Sequence, residues 1–269
     1  MIAIVDFGSQ FTHVIARRIR SLDVKTEVFR FNVNAEQLKA SDGIIFSGGP
    51  SSVYANGAPN ADPAIYRLGK PILGICYGMQ LFGHQLGGKV DPGKTKEYGS
   101  ATIRTKGRSV FFRGIPTQTQ VWMSHGDRVA KLPPGFVVTA KTSDVPVVAM
   151  EDTTRQLFAV QFHPEVSHTQ HGSMMLKNFI EDICHAKKDW QLGDVMNQTI
   201  QTIRDQIGKE YALCGLSGGV DSSVAAVLVH RAIGKHLTCV FIDHGMLRKD
   251  ETGSVRKAFG QHFNANLRT

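Results

Sequence analysis

The chain has 269 residues, of which 42% are hydrophobic and 20% charged, a balance that argues against a disordered protein and fits one large domain or two ordinary ones. No apolar run approaches membrane-spanning length and no basic segment precedes the first apolar stretch, so we expect a cytoplasmic protein without membrane contact. The net charge of +8 suits anionic ligands such as nucleotides, but no long Lys/Arg run indicates a nucleic-acid partner. Four cysteines without paired or metal-type spacing argue against a disulfide framework.

The first third of the chain alternates between strand and helix patterns. Apolar runs predict strands at 2–6, 43–46 and 71–75, and an alternating pattern predicts another at 25–31. Apolar stripes predict helices at 11–22 and 79–86, with a short helical turn at 36–39. This order predicts a parallel sheet with flanking helices.

From about residue 101 the pattern changes to short strands separated by turn residues. The segments 101–104, 120–123, 136–140, 145–150 and 157–161 have strand character, which predicts antiparallel strands added to the parallel core. A helix is predicted at 173–186.

The polar stretch 185–189 marks a domain boundary, and an amphipathic helix at 192–207 follows it. A second strand-turn-helix pattern begins at 211, with a helix at 221–233, a strand at 237–243, a helix at 250–262 and a final strand from 264. We therefore predict an α/β fold with two domains, each with a largely parallel central sheet flanked by helices. The predicted domains are 1–186 and 210–269, joined by a connecting segment at 187–209.

Cys76 is the first candidate for chemistry, because it follows a predicted strand and precedes a predicted helix. A sulfur at such a turn lies over the N-terminal end of the helix dipole, where a thiolate is favoured. We therefore interpret Cys76 as a nucleophile. Cys184, Cys214 and Cys239 lie in apolar stretches and are predicted to be buried.

His163 and Glu165 are the candidate base and orienting acid for Cys76. They follow the apolar run 157–160, and residues two apart in an extended segment point to the same side, so imidazole and carboxylate can be neighbours. Two alternatives stay open here. His163, Glu165 and His168 could ligate a metal, or His163-Pro164 could simply end a strand.

Acyl-transfer chemistry at a cysteine also needs donors for an oxyanion. The backbone N–H of Tyr77, directly after the nucleophile, is well placed for this. The Ser-Gly-Gly-Pro turn at 47–50 could supply the second donor through Gly49, because glycine lets an amide approach a ligand closely. The same four residues could equally form an ordinary tight turn.

Together these segments resemble the class I, or triad, glutamine amidotransferases. The resemblance covers about 1–186 and rests on Gly-Ile-Cys-Tyr-Gly-Met-Gln at 74–80, Phe-His-Pro-Glu-Val at 162–166 and the 47–50 turn. It implies that Cys76 is the nucleophile, His163 the base and Glu165 the orienting acid, with glutamine as the substrate.

The same resemblance extends to residues around the substrate. It implies that Gln80, His125 and Asp127 line the glutamine site. By themselves, His125 and Asp127 would indicate only a polar loop.

A second candidate site is the Leu-Ser-Gly-Gly-Val-Asp-Ser-Ser segment at 216–223, between a predicted strand and helix. Its glycines free backbone N–H groups, its serines can donate to phosphate oxygens, and the helix N-terminus favours an anion. Asp221 beside a phosphate requires a cation, which indicates Mg²⁺. The segment lacks a Walker A lysine, and its alternative is a Ser/Gly turn with an ordinary N-cap.

This segment resembles the pyrophosphate loop of the N-type ATP pyrophosphatases, which cleave ATP to AMP and pyrophosphate. Residues 244–248 continue the resemblance, and Asp243 ends the next parallel strand, where open sheets bind ligands. Asp243 could alternatively cap a helix or turn. The implied ATP-binding residues are Ser217, Gly218, Gly219, Val220, Asp221, Ser222, Ser223 and Asp243.

A triad amidotransferase joined to such a pyrophosphatase resembles glutamine-dependent ligases that make GMP. The resemblance implies that ammonia from glutamine aminates XMP adenylylated by ATP, giving GMP, AMP and pyrophosphate, with Mg²⁺ accompanying ATP and no prosthetic group. Members of that family continue beyond the position of Thr269, so we expect an incomplete second domain, and a homodimer when the further C-terminal domain is present.

Two other functions compete with this interpretation. One is a glutaminase without a working amination site. The other is a regulatory nucleotide-binding module with an idle cysteine site, against which the joint presence of Cys76, His163 and Glu165 argues.

Overall fold

The structure, a computed structural model, describes residues 1–243, 245, 250–257, 260 and 266–269. The other positions of the 244–248 segment, and positions 258, 259, 261 and 262 of the predicted helix 250–262, lie outside the described residues. The chain divides into two units, Met1–Asp189 and Trp190–Thr269.

One sheet of nine strands forms the centre of the first unit. Its strands are β1 (Ile2–Asp6), β2 (Thr26–Arg30), β3 (Gly43–Phe46), β4 (Ile72–Ile75), β5 (Lys89–Thr105), β6 (Gln118–Lys131), β7 (Val137–Lys141), β8 (Ala149–Asp152) and β9 (Leu157–Val160). Their order across the sheet is β2-β1-β3-β4-β9-β8-β7-β5-β6. Neighbours from β2 to β9 pair in parallel, and neighbours from β9 to β6 pair antiparallel. The predicted parallel core with added antiparallel strands is confirmed.

The main differences from the sequence prediction concern the pairing of β9 and the lengths of β5 and β6. The sequence pattern groups β9 with the antiparallel addition, but this strand pairs in parallel with β4 and so completes the parallel half. Strands β5 and β6 are far longer than the predicted segments 101–104 and 120–123, because the two strands pair with each other along most of their length. Polar residues extend this ladder where apolar periodicity provides no signal, since backbone hydrogen bonding alone can sustain a strand pair.

Helices cover both faces of the sheet. They are α1 (Thr12–Arg20), α2 (Ala35–Leu38), α3 (Tyr77–Gln85) and α4 (Gly172–Lys177), and α4 continues as a wider π-helical segment, Asn178–Ile183. Alternate residues of β1 serve the two faces: Ile2 and Ile4 pack with α1, whereas Ala3 and Val5 pack with α3. Because both faces are covered, the inner parallel strands β1, β3, β4 and β9 are almost wholly buried, which explains their apolar sequences, whereas the edge strand β2 is largely exposed.

The second unit contains a smaller parallel sheet. Its elements are α5 (Leu192–Ile207), β10 (Ala212–Leu216), α6 (Val220–Ile233), β11 (Leu237–Phe241), α7 (Glu251–Val255) and β12 (Asn266–Arg268). The strands pair in the order β10-β11-β12. Helix α5 lies in the predicted connecting segment 187–209. Its Arg204 side chain donates to the Ala232 carbonyl of α6 at 3.1 Å.

In the described part of the chain, no helix is long and apolar enough to cross a membrane.

We expect Phe82→Ala to destabilise the first unit strongly. Phe82 is fully buried on α3 and packs edge-on against Phe46 and Tyr66, with ring centroids 5.9 and 5.6 Å away. Its removal leaves a cavity, which costs about 3–5 kcal/mol of unfolding free energy, measurable by urea denaturation. The control Val137→Ala, at a side chain that is 57% exposed, should change this free energy by less than about 0.5 kcal/mol. Equal effects of the two substitutions would contradict the assignment of this core.

Candidate active site

Four loops meet at the carboxyl edge of the parallel strands in the first unit. They follow β1, β3, β4 and β9, and open α/β sheets bind ligands at this edge. Cys76 lies at the end of β4, and Gln161, His163 and Glu165 follow β9, the strand next to it. Sheet order therefore brings together residues that are far apart in the sequence.

Cys76 occupies a strained turn between β4 and α3. Its φ of 53° and ψ of −101° lie where side-chain-bearing residues are rare, at a cost of about 1–3 kcal/mol. A Cβ on Gly74 would lie 2.7 Å from the Gly78 carbonyl oxygen, and one on Gly78 would lie 2.7 Å from that of Phe46. Both glycines are therefore needed for the tight turn that places the sulfur at the sheet edge.

His163 connects Cys76 with Glu165. Its Nδ1 lies 2.8 Å from Oε1 of Glu165, and its ring and the Cys76 side chain lie next to each other beside Gly48. The imidazole and the carboxylate are both buried, and Thr169 fixes the backbone by donating to the His163 carbonyl at 2.6 Å. The predicted contact between the His163 and Glu165 side chains is therefore present. The two residues lie in a turn, however, and not in the extended segment that the sequence pattern indicates.

The surroundings of His163 favour its charged form. Burial by itself would lower the pKa, but hydrogen bonds to Cys76 and Glu165, and the charges of both partners, raise the pKa of His163 to about 10. An imidazolium next to a cysteine stabilises a thiolate, and the same ring can later return or take up a proton. The arrangement is thus suited to nucleophilic acyl transfer.

The metal alternative for this cluster is not supported by the geometry. His163 Nδ1 is engaged with Glu165, while His168 stacks on Trp122 with ring centroids 4.6 Å apart. Among the described residues, no group of three His, Cys, Asp or Glu side chains is placed to hold a metal ion.

Two further polar groups contact the sulfur, and neither has a role predicted from the sequence. The Cys76 thiol lies 3.6 Å from the Ser124 carbonyl oxygen, and Nε2 of Gln161 lies 3.7 Å from Sγ. Gln161 is fully buried. The sequence signal that could have indicated this contact is the position of Gln161, two residues before His163 and directly after β9.

The loop 47–50 lies against the nucleophile. A Cβ on Gly48 would lie 3.0 Å from Cε1 of His163 and 3.6 Å from Cβ of Cys76. A Cβ on Gly49 would lie 2.6 Å from the Phe7 carbonyl oxygen, so a side chain is excluded at Gly49, whereas at Gly48 it would crowd the His163 ring. Tyr77 is the first residue of α3, and an N–H at this position has no acceptor within its own helix. The oxyanion roles of Gly49 and Tyr77 stay predictions.

A cavity of about 540 Å³ opens in front of Cys76, and Gln80, His125 and Asp127 line it together with His163. His125 and Asp127 lie in strand β6, so the polar-loop interpretation of them is wrong. Nε2 of Gln80 donates to the Asp127 carbonyl at 3.0 Å.

His125 is held between two acceptors. Its Nδ1 lies 3.0 Å from the Asp127 carbonyl oxygen and its Nε2 lies 3.0 Å from Oε2 of Glu97, a residue that no sequence motif singles out. Burial lowers the pKa of His125, against the opposing effect of Glu97. In the part of the chain that the structure describes, the buried Oδ2 of Asp127 has no hydrogen-bond partner.

The segment 217–223 of the second unit forms a loop between β10 and α6. Gly218 has a φ of +76°, and Gly219 caps α6. Ser222 accepts from the Ser217 N–H at 3.1 Å and meets the Ser217 hydroxyl at 3.0 Å, while Ser223 donates to the Gly219 carbonyl at 2.8 Å. The loop is exposed, and its amides precede a helix of 14 residues.

Asp221 and Asp243 are the acidic residues at this edge. Asp221 lies in the first turn of α6, and Asp243 follows β11, the parallel neighbour of β10. Asp243 accepts hydrogen bonds from the Gly245 N–H and the Thr252 hydroxyl, each at 3.0 Å, so it also organises the turn after β11. Mg²⁺ usually binds through one or two carboxylates together with phosphate oxygens, and this donor set fits that pattern.

Comparison with known proteins assigns the first unit. The family described as glutamine amidotransferase class-I matches residues 3–183. The chain belongs to the class-I glutamine amidotransferase family. In the second unit of this amidotransferase, the family described as NAD synthase matches residues 191–265.

Curated relatives of the amidotransferase carry a more specific name. A GMP synthase [glutamine-hydrolyzing] from Carboxydothermus hydrogenoformans is 53% identical over 99% of this chain and 53% of its own length. One from Geobacillus kaustophilus is 51% identical, again over 99% of this chain and 53% of its own length. The chain therefore spans about half the length of the curated relatives it matches.

Solved structures give the same fold for the first unit. A Thermoplasma acidophilum protein, described as one subunit of a GMP synthase, is 32% identical, with a TM-score of 0.63 over 68% of this chain and 93% of that protein. A Thermotoga maritima glutamine amidotransferase, at 20% identity and a TM-score of 0.50, shares the fold.

We expect Glu165→Gln to lower the pKa of His163 from about 10, because the variant removes a carboxylate that favours the imidazolium. A raised native pKa stabilises the fold fully below the unfolded value of 6.5, and this contribution is lost as the pH rises through about 10. In the variant, the stability contributed by the His163 titration should therefore be lost at a lower pH than in the native protein.

The His163 ring titration can be followed by nuclear magnetic resonance, and stability by urea unfolding across the same pH window. Glu36→Gln, at a side chain that is 74% exposed, is the matched control and should leave the His163 titration unchanged. A midpoint for His163 in Glu165→Gln that equals or exceeds the native one would contradict this account.

Proposed function

We propose that this amidotransferase hydrolyses glutamine at Cys76 and that the ammonia serves ATP-dependent amination of XMP to GMP. The observation that carries the first half is the placement of His163 at the carboxyl edge of the sheet, hydrogen-bonded to Glu165 and beside Cys76. The second half is supported by the phosphate-type loop at 217–223 and by the names of the curated relatives.

In the proposed glutaminase reaction, the Cys76 thiolate attacks the side-chain carboxamide of glutamine. The amide N–H groups of Gly49 and Tyr77 stabilise the oxyanion, where α3 also directs its positive end. His163 protonates the departing ammonia, and Glu165 keeps its ring oriented. Water then attacks the glutamyl thioester, with His163 as the base, and glutamate leaves.

The same proposal gives roles to the cavity in front of Cys76. Gln80, His125 and Asp127 line the space that the substrate would occupy. The unpartnered Oδ2 of Asp127 suits a cationic group, such as the α-ammonium of glutamine, because a buried carboxylate oxygen without a partner is costly. The hydrogen bond from Gln80 to the Asp127 carbonyl holds this part of the wall in place.

In the second unit, we assign the ATP phosphates to residues 217–223. The glycines and the first turn of α6 present amides to an anion, and the serine hydroxyls can exchange their internal hydrogen bonds for phosphate oxygens. Asp221 would hold Mg²⁺ jointly with the phosphates, and Asp243 lies at the same sheet edge. The cytoplasmic location, the homodimer and the absence of a prosthetic group stay predictions from the sequence.

We expect Cys76→Ala to reduce glutamate release from glutamine by about 1,000-fold or more, because the variant lacks the sulfur that forms the glutamyl thioester. The matched control is Cys214→Ala, which removes a half-buried thiol in the second unit and should leave hydrolysis unchanged. Retention of glutamine hydrolysis in Cys76→Ala would overturn the proposed role of Cys76.

The same variant separates the two halves of the proposal. With XMP, ATP and Mg²⁺, Cys76→Ala should form GMP from an ammonium salt but not from glutamine. If the protein with native Cys76 forms no GMP from either nitrogen donor, its own amination activity is excluded and glutamine hydrolysis alone remains.

We expect Asp221→Asn to weaken binding of ATP by about tenfold in the presence of Mg²⁺, a change of about 1.4 kcal/mol, and to have a smaller effect without it. Isothermal titration calorimetry measures both conditions. Asp194→Asn is the matched control, because Asp194 lies in the first turn of α5, which has no glycine-rich loop before it. Equal ATP affinities in Mg²⁺ for native protein and Asp221→Asn would contradict the assignment.

A further inference from the structure

Gln161 places an uncharged donor against the reacting sulfur. Its side chain is fully buried at the end of β9, and Nε2 lies 3.7 Å from Sγ of Cys76, within hydrogen-bonding range for sulfur. The other end of the same amide, Oε1, is buried and has no hydrogen-bond partner among the described residues. Within the described part of the chain, the contact with the sulfur is therefore the one hydrogen bond of this side chain.

The contacts of the sulfur distinguish its two protonation states. The Ser124 carbonyl, at 3.6 Å, can only accept a hydrogen bond, so it stabilises the protonated thiol. The Gln161 N–H can only donate, so it stabilises the thiolate, and hydrogen bonds to a charged group are the stronger kind. With the amide reversed, Oε1 would face the thiolate and repel it.

The titratable groups near the sulfur are those that line the cavity. In the described part of the chain these are Tyr98, His125, Asp127 and His163. His163 lies beside the sulfur, and its Nδ1 is hydrogen-bonded to Glu165, whose carboxylate favours the imidazolium. Gln161 lies at the end of β9 and carries no charge. Its hydrogen bond to the sulfur therefore does not change through protonation of Gln161 itself.

We propose that Gln161 is a catalytic residue of the glutaminase reaction, with its side-chain N–H donating to the Cys76 sulfur and stabilising the thiolate. The assignment rests on the function proposed above. In the acylation step, the sulfur electron pair forms the C–S bond while the C–N bond breaks and ammonia leaves with a proton from His163.

Gln161 acts again when the thioester is hydrolysed. Water adds to the acyl carbon and its proton passes to His163. The C–S bond then breaks, and its electron pair returns to the sulfur. The leaving thiolate accepts a hydrogen bond from Gln161, whereas the thioester sulfur, which is uncharged, accepts a weaker one. Gln161 therefore stabilises the Cys76 thiolate in both steps, as the nucleophile of acylation and as the leaving group of hydrolysis.

The test measures the thiolate directly and needs no glutamine. The rate at which iodoacetamide alkylates Cys76 is followed across pH by mass spectrometry of the peptide that contains Cys76. Gln161→Met keeps the size of the side chain and removes the donor. We expect its alkylation midpoint to rise by about one pH unit, which corresponds to an approximately tenfold lower rate below the midpoint.

A second variant and a control make the test specific. Gln161→Glu keeps the shape but turns an acceptor toward the sulfur, so its midpoint should rise further than that of Gln161→Met. Gln120→Met makes the same chemical change at an exposed position of β6 and should leave the midpoint unchanged. Circular dichroism is used to confirm that each variant is folded before its alkylation midpoint is compared with that of the native protein.

Unchanged midpoints in the folded Gln161 variants would overturn the proposal. This outcome is distinguishable from failure of the proposed function. If Cys76→Ala retains glutamine hydrolysis, the acyl-transfer role of Cys76 is wrong whatever the alkylation rates are. If Cys76→Ala is inactive while the Gln161 variants titrate like the native protein, the function stands and only the role of Gln161 is lost.

Discussion

The strained backbone at Cys76 is the constraint on which the first unit depends. A positive φ at a residue with a side chain persists only where the surrounding structure enforces it. Here the surroundings leave no room for a Cβ at Gly74, which would meet the backbone of Gly78, or at Gly78, which would meet Phe46. The Cys76 N–H also donates to the Val160 carbonyl at 2.8 Å. Strands β3, β4 and β9 and helix α3 must therefore all be in place before the sulfur is directed at the cavity.

The sheet order supplies the remaining chemistry. Because β9 lies next to β4, the residues that follow it reach the sulfur, although almost ninety positions separate them in the sequence. Burying His163 and Glu165 would be costly for either alone, and their direct hydrogen bond offsets much of that cost. The same burial strengthens the electrostatic coupling between the two groups, so the packing that stabilises the fold also favours the imidazolium form of His163 beside Cys76.

The second unit uses the same architectural principle with different chemistry. There too, a loop follows a parallel strand and precedes a helix, but glycines and serines replace the cysteine. Backbone amides at a helix N-terminus suit a phosphate, whereas a thiolate at a strained turn suits an acyl carbon. In both sheets these groups lie at the carboxyl edge of parallel strands, which is where open α/β folds commonly place their sites.

The sequence by itself determined the α/β class, the positions of the short buried strands, and the local motifs around Cys76, His163 and 217–223, because apolar runs and glycine spacing are local signals. It did not determine the place of β9, the length of β5 and β6, or the strand position of His125 and Asp127, because strand pairing depends on distant partners. The contacts of Gln161 with Cys76 and of Glu97 with His125 also depend on strand pairing, so the sequence did not indicate them. Only the tertiary structure decided which side chains reach the sulfur, since parallel neighbours meet at an edge that no single segment encodes.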